Sequence, residues 1–419
     1  MDSHPGWHFI LELFSNLVGH DSESLLIISV CLLFILFAGT PILLLKRPEA
    51  WVITLLIFAV FSWGPVFRLF YGRPYIFSMF LVLIFCFLWK QIKENDKPYL
   101  EVAVFTVVTA LATWIHGAWY LFALPLFALF LAREWRVLGL MSAATFVGVL
   151  LGALFTGKPF IFLYQMVYHA VKAMSAADMQ QQLVTEFWSF TGEPNAAIIV
   201  AALLLWRGVR GQWSRECVDN PVFYLALLGW SLGFVASRFW TDWGWPALAF
   251  WVALELQLVI KTYWEEFDWR RVVLALAVSL VFFMAVANDR GGRWTSRAKQ
   301  EWPVLAEVEH RPWLPDPGGI VYSTQMGVFY WLFFHNPHAE WRYILGFEPV
   351  WMPEEDLEIY RNIQLGQGRT LAPWLERMTA KDRFIAAGGR PNVEGLEWKE
   401  VTPGVWSGKF DFSAFEEEK

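Results

Sequence analysis

Charge is what this 419-residue chain has least of: Asp, Glu, Lys and Arg make up 17% of it, against roughly 25% in an average soluble domain. That shortfall removes the ordinary soluble classes. Cysteine is also scarce. Cys31 and Cys86 lie in apolar runs and Cys217 in a short polar loop, so neither a disulfide framework nor a CxxC metal site is present. There is no GxGxxG and no P-loop, which leaves nucleotide binding without support. No basic run or basic-aromatic stripe points to nucleic acid. The first twenty residues hold no Lys or Arg and no small-residue cleavage site after an apolar core, so no cleavable signal peptide is expected there. An inverted repeat, or a matched pair of Gly/Pro-broken helices, would suggest a transporter or flippase; neither is found.

What remains is apolar and aromatic. The chain is 56% hydrophobic, with 26 Trp and 37 Phe, and reads as mainly α, a polytopic helical membrane bundle of about nine to ten segments. Apolar segments run over 24–45, 51–66, 75–89, 99–115, 117–132, 137–156, 195–206, 222–237, 244–260 and 272–288. Several fall short of the ~20 residues of a straight span, which allows tilt or half-spans. His116-Gly117 between two short segments predicts a tight hairpin. Ahead of the bundle, residues 1–23 place Trp7, Ile10, Leu11, Phe14, Leu17 and Val18 at helical spacing, an amphipathic helix lying in the interface.

Basic residues set the orientation. Alternate loops carry Lys46, Arg47, Lys90, Lys93, Lys97, Arg133, Arg136, Arg207, Arg210, Arg215, Lys261, Arg270 and Arg271; the opposite loops carry only Arg68, Arg73, Lys158, Lys172 and Arg238. The richer side is assigned to the cytoplasm. The N-terminus then falls outside, which fits a first segment inserting N-out or one further transmembrane helix ahead of this start; the second is preferred. The unusual polar residues all land on the outer face: Arg68 to Tyr75, His116, the loop 157–194, Arg238 to Trp243, and everything after Asp289. Charge at the end of a membrane segment costs several kcal/mol if it meets lipid, so it lines a pocket or pairs.

The loop 157–194 repeats Phe160, Leu163, Tyr164, Val167, Tyr168 and Val171 at threes and fours, an interfacial helix roofing the outer face. His169, Asp178 and Glu186 read as solvated. After 289 hydropathy drops and Pro and Gly cluster at 312–319. Strands are predicted at 319–323, 341–345 and 383–387, helices at 325–334, 354–366 and 371–379, and a hairpin around Pro403-Gly404. Residues 289–419 thus form a small extracytoplasmic α/β domain behind the bundle of 24–288.

Several motifs resemble the bacterial multi-spanning glycosyltransferases of the GT-C class, the group holding protein mannosyltransferases and aminoarabinose transferases. They are Ser3-His-Pro-Gly-Trp-His-Phe-Ile-Leu-Glu-Leu13 with Gly19-His-Asp-Ser-Glu23, Gly72-Arg-Pro-Tyr-Ile-Phe-Ser78, Trp114-Ile-His-Gly117, Ser237-Arg-Phe-Trp-Thr-Asp-Trp-Gly-Trp-Pro-Ala-Leu-Ala249, Val321-Tyr-Ser-Thr-Gln325 and Glu397-Trp-Lys-Glu-Val401. The family's first transmembrane helix has no counterpart, and its acidic pair in the first outer loop is matched only by Asp2 and Asp21.

The resemblance implies a transferase moving a sugar from a polyprenyl-phosphate-linked donor to a glycan, lipid or protein acceptor, on the periplasmic face of a bacterial inner membrane. Guanidinium groups match phosphate oxygens, so Arg68, Arg73 and Arg238 are candidates to hold the leaving phosphate, or else snorkel to the interface. Asp2 is the candidate base on the acceptor hydroxyl. His116 and His4 are candidates to contact phosphate or sugar, with a structural histidine the other reading of His116. Asp242 either pairs with Arg238, binds sugar or caps a helix end. Trp114, Trp119, Trp240 and Trp243 either stack on sugar or anchor the interface. Glu255, deep in its segment, is expected to pair inside the bundle. A divalent cation is possible in this class, although no ligand spacing here argues for one. The alternative function is a GT-C-like binding or assembly subunit without chemistry.

Overall fold

The structure, a computed structural model, describes residues 4–18, 22–175, 188–263, 269–287, 300–346, 348–365 and 371–410. They fall into two compact units, one drawn from Met1–Val171 and Glu186–Trp294, the other from Lys172–Thr185 and Thr295–Lys419.

The first unit is helical. Five helices are long and apolar enough to cross a membrane: Ser24–Leu44, Tyr75–Glu94, Tyr99–His116, Trp135–Leu154 and Ser237–Thr262. Shorter apolar helices lie at Pro48–Phe61, Trp119–Leu131, Pro194–Val209 and Pro221–Gly233. Prolines 48, 194 and 221 open their helices, where the missing N–H costs nothing and φ is already helical. The segment expected at 51–66 is two helices, Pro48–Phe61 and Trp63–Arg68. Pro65 explains the break, because its ring would collide with the carbonyl of Phe61 in a continuous helix. That carbonyl accepts Asn195 Nδ2 instead.

Small residues let the helices approach. Gly148 and Gly152, one turn apart, face the Tyr99–His116 helix; a Cβ at Gly152 would sit 2.3 Å from the Ala110 carbonyl oxygen, the small-xxx-small contact of membrane bundles. Gly229 meets Gly244 backbone to backbone, with a Cβ at Gly229 only 2.3 Å from the Gly244 Cα. Around these contacts Trp51, Trp240, Trp243, Trp245 and Trp251 are fully buried. Two of the long helices contain a π-turn, at Ile35–Gly39 and at Trp240–Gly244.

The second unit carries a five-stranded sheet near the C-terminus. Its strands are β1 (Ile320–Tyr322), β2 (Arg342–Tyr343), β3 (Arg383–Ala387), β4 (Leu396–Thr402) and β5 (Val405–Phe410), in the order β2-β1-β3-β5-β4. β1 pairs in parallel with β2 and β3, while β3–β5 and β5–β4 are antiparallel. Alternate residues feed opposite faces: Tyr322 and Phe384 pack with Trp374 on one, Val321 and Ile385 with Trp302 and Val405 on the other. The hairpin turns at Pro403-Gly404, where Gly404 takes φ of 76°.

Candidate functional site

Arg68 ends the short helix Trp63–Arg68, and the next seven residues fold back over it. Gly72 takes φ of 60°, and a Cβ there would lie 3.2 Å from Val30, so the turn needs glycine. Tyr75 then closes it, donating its hydroxyl to the Arg68 carbonyl at 2.9 Å and presenting its ring 3.9 Å from the Arg68 guanidinium carbon. That stacking is a cation–π contact.

The guanidinium reaches Asp242 Oδ1 at 2.7 Å. Asp242 is fully buried and lies inside the π-turn Trp240–Gly244, where the Thr241 hydroxyl also donates to Oδ1 at 3.0 Å. An inserted residue of this kind changes where the side chains of that turn point, and such bulges recur at functional sites. Arg238 stands four residues before Asp242 on the same helix.

His116 completes the group. It is the last residue of the Tyr99–His116 helix, followed by Gly117 in the left-handed conformation that ends helices. Its Nδ1 and Ser78 Oγ are 2.6 Å apart, with Ser78 one turn along from Tyr75. The His4 ring stacks on it with centroids 5.6 Å apart. The cause is two positions along each chain: Gly6 lies so close to Trp114 that a Cβ would fall 2.6 Å from the indole. His4, Arg238 and Arg68 all act electrostatically on His116. The Arg68–Asp242 pair, the stacked His4 and His116, and Arg238 within electrostatic reach of His116 therefore lie where apolar helices end.

Of the residues singled out from sequence, Arg68, Arg238, His116, His4 and Asp242 are brought together. Arg73 is exposed at the tip of the turn. Asp2, and Asp21 with it, lie outside the described residues. Two readings need correction. Asp242 does not cap a helix end: the helix begins at Ser237, earlier than the predicted 244, and its carboxylate meets Arg68 from another helix. Trp243 does not offer a face for sugar, being fully buried against Phe122. Trp240 is likewise buried, against Phe190, and Trp119 Nε1 is committed to the Leu163 carbonyl at 3.3 Å. Glu255 pairs inside the bundle, with Arg207.

One acid escaped the sequence reading. Glu193 precedes the helix Pro194–Val209 and accepts the Ser62 hydroxyl at 2.5 Å. Its loop is pinned by Ser237 N donating to Trp188 O at 2.7 Å and Phe190 N donating to Gly233 O at 3.0 Å. Burial pushes the Glu193 carboxyl above its usual range, opposed in part by the Ser62 hydrogen bond. Glu193 thus sits at the start of the short Trp63–Arg68 helix and Asp242 at its end. The available signal was an acid directly before a helix-opening proline, a position where carboxylates favour the helix N-terminus.

Among the described residues no group of three or more His, Cys, Asp or Glu is placed to hold a metal ion. No protein-family model matches this chain, and no curated protein does either.

Proposed function

We propose that the chain is a GT-C-like glycosyltransferase that takes a sugar from a polyprenyl-phosphate-linked donor and delivers it to an envelope acceptor on the periplasmic side of a bacterial inner membrane. The observation that carries this reading is that Arg68, at the end of a short helix, and Arg238, near the start of a membrane-length one, both lie within electrostatic reach of His116 at the end of another. A lipid-linked phosphate has to be met at that depth, and paired guanidinium forks suit its oxygens. In the reaction the acceptor oxygen forms its bond to the sugar C1, and the C1–O bond to phosphate breaks. The bonding pair leaves on the phosphate oxygen, where Arg238 and Arg68 stabilise the charge. The acceptor proton passes to a carboxylate, and Glu193, partly accessible and a short helix away from Arg68, is the described residue we assign to it.

The test is transfer from a panel of polyprenyl-phosphate sugars by the purified chain in lipid nanodiscs. Turnover with at least one donor, lost in Arg238→Ala while the protein still inserts and folds, is expected; no turnover with any donor, or turnover untouched by Arg238→Ala, overturns the reading. A binding or assembly subunit without chemistry is favoured by one observation, the Arg68–Asp242 pair, which already neutralises one of the two guanidiniums. That reading predicts donor binding without transfer.

A further inference from the structure

The helix Met326–His335 of the second unit is apolar all the way round, an arrangement otherwise found in helices buried on every side. Val328 and Leu332, one turn apart, are fully buried on the sheet. The opposite side is about half exposed. Tyr330 is 46% exposed, Phe333 49% and Phe334 51%, and their spacing of three and four makes one continuous stripe. Single exposed apolar side chains are ordinary, but a contiguous aromatic stripe on a helix marks an interaction surface.

Charge narrows the partner. From Val321 to Ala339 there is no Asp, Glu, Lys or Arg, so the stripe offers nothing for a charged protein surface to pair with and no charge that lipid would penalise. Its composition, Phe and Tyr with His335 at the end, is that of side chains that settle at the headgroup boundary. Distance points the same way. The apolar helix Trp269–Ala287 is joined to Gln300 through residues 288–299, a connection of at most about 45 Å. A bilayer crossed by the first unit is thus within reach of the second.

We infer that the helix Met326–His335 lies in the plane of the bilayer interface, with Tyr330, Phe333 and Phe334 inserted at the boundary between headgroups and acyl chains. This rests on the first unit spanning a membrane and not on the transferase reading. The insertion proposed is limited to these three side chains, at the headgroup and acyl boundary about 5–10 Å deep. The consequence is a second contact that fixes the height of the sheet above the lipid.

The experiment uses the full chain with Cys31, Cys86 and Cys217 replaced by alanine, in nanodiscs of phosphatidylethanolamine and phosphatidylglycerol. A polarity-sensitive fluorophore is placed at Phe334→Cys, at Tyr330→Cys and, as a control on an exposed position of the same unit, at Glu358→Cys. Expected is blue-shifted emission from 334 and 330, quenched several-fold more than the control by lipids brominated near the top of the acyl chain. Water-like emission at both positions overturns the inference. So does blue-shifted emission indifferent to brominated lipid, which would mean that protein covers the stripe. The two stripe positions guard against one substitution disturbing the helix, and transferase activity does not enter the readout.

Discussion

Arg207–Glu255 and Arg68–Asp242 join the same two chemical groups among the apolar helices of one unit, yet their surroundings differ. Arg207 meets both carboxylate oxygens of Glu255, and its remaining NH1 donates to the Gln212 carbonyl at 2.9 Å. One cation and one anion balance there with a backbone group to spare none. At Arg68–Asp242 the pair is accompanied by a second guanidinium and two imidazoles. A neutral, saturated pair is a brace. A pair flanked by a further guanidinium and two imidazoles is the setting on which the transferase proposal relies. The contrast shows that burial of an arginine says little by itself, and that the groups around it say more.

The largest expected effect breaks the brace. Arg207→Ala leaves Glu255 buried without its cation and should cost about 3–5 kcal/mol, seen as a fall in thermal midpoint in detergent, whereas exchanging both partners for leucine should recover most of it. If Arg207→Ala were neutral, the brace reading would be wrong. At the other pair the split should reverse: Arg238→Ala is expected to lower transfer by about 100- to 1,000-fold with the thermal midpoint nearly unchanged.

Next comes Glu193. An acceptor base works ionised, and burial raises the pKa of Glu193, so on the proposed role turnover should climb with pH through a window above the usual carboxylate range and then level off. Glu193→Gln should remove that climb and about 100-fold of turnover, while Glu193→Asp restores part of both. Ionised Glu193 is also a cost to the fold that appears as pH rises past its unfolded value, so the glutamine variant should be no less stable at neutral pH. A flat wild-type profile would exclude it as the base. The smallest effect concerns positioning. Gly6→Ala adds a methyl against Trp114 and should cost about 1–3 kcal/mol, weakening donor binding by displacing His4 from His116; unchanged donor affinity would show that the stacked pair has no part in binding.

Much of this was legible in the amino-acid order, for reasons that can be named. The apolar helices follow from uninterrupted hydrophobic runs, and the hairpin of β4 and β5 follows from its Pro403-Gly404 turn. The sequence pointed to Arg68, Arg73 and Arg238 gathering with Asp2 on one face; of these the structure places Arg68 and Arg238 near His116, leaves Arg73 exposed, and does not describe Asp2. What could not be read was which partner each would find. For Asp242 the sequence offered Arg238, a sugar or a helix end, and nothing in it pointed to Arg68, which reaches the carboxylate from a separate helix. Trp243 was misread because tryptophan serves interface and core alike. Glu193 hid because a single acid beside a proline has no periodicity to betray it.

The widened turn at Trp240–Gly244 has a consequence for how this protein tolerates sequence change. A π-turn takes up one more residue than a regular turn, so deleting Thr241 and letting the turn relax would keep the stretches on either side, Arg238 and Trp245–Thr262 included, near their present phase while re-aiming the side chains within the turn, Asp242 among them. Such a chain could still insert and fold, with its carboxylate aimed at the wrong neighbour. Loss of one residue here would act on direction and leave the packing behind it intact.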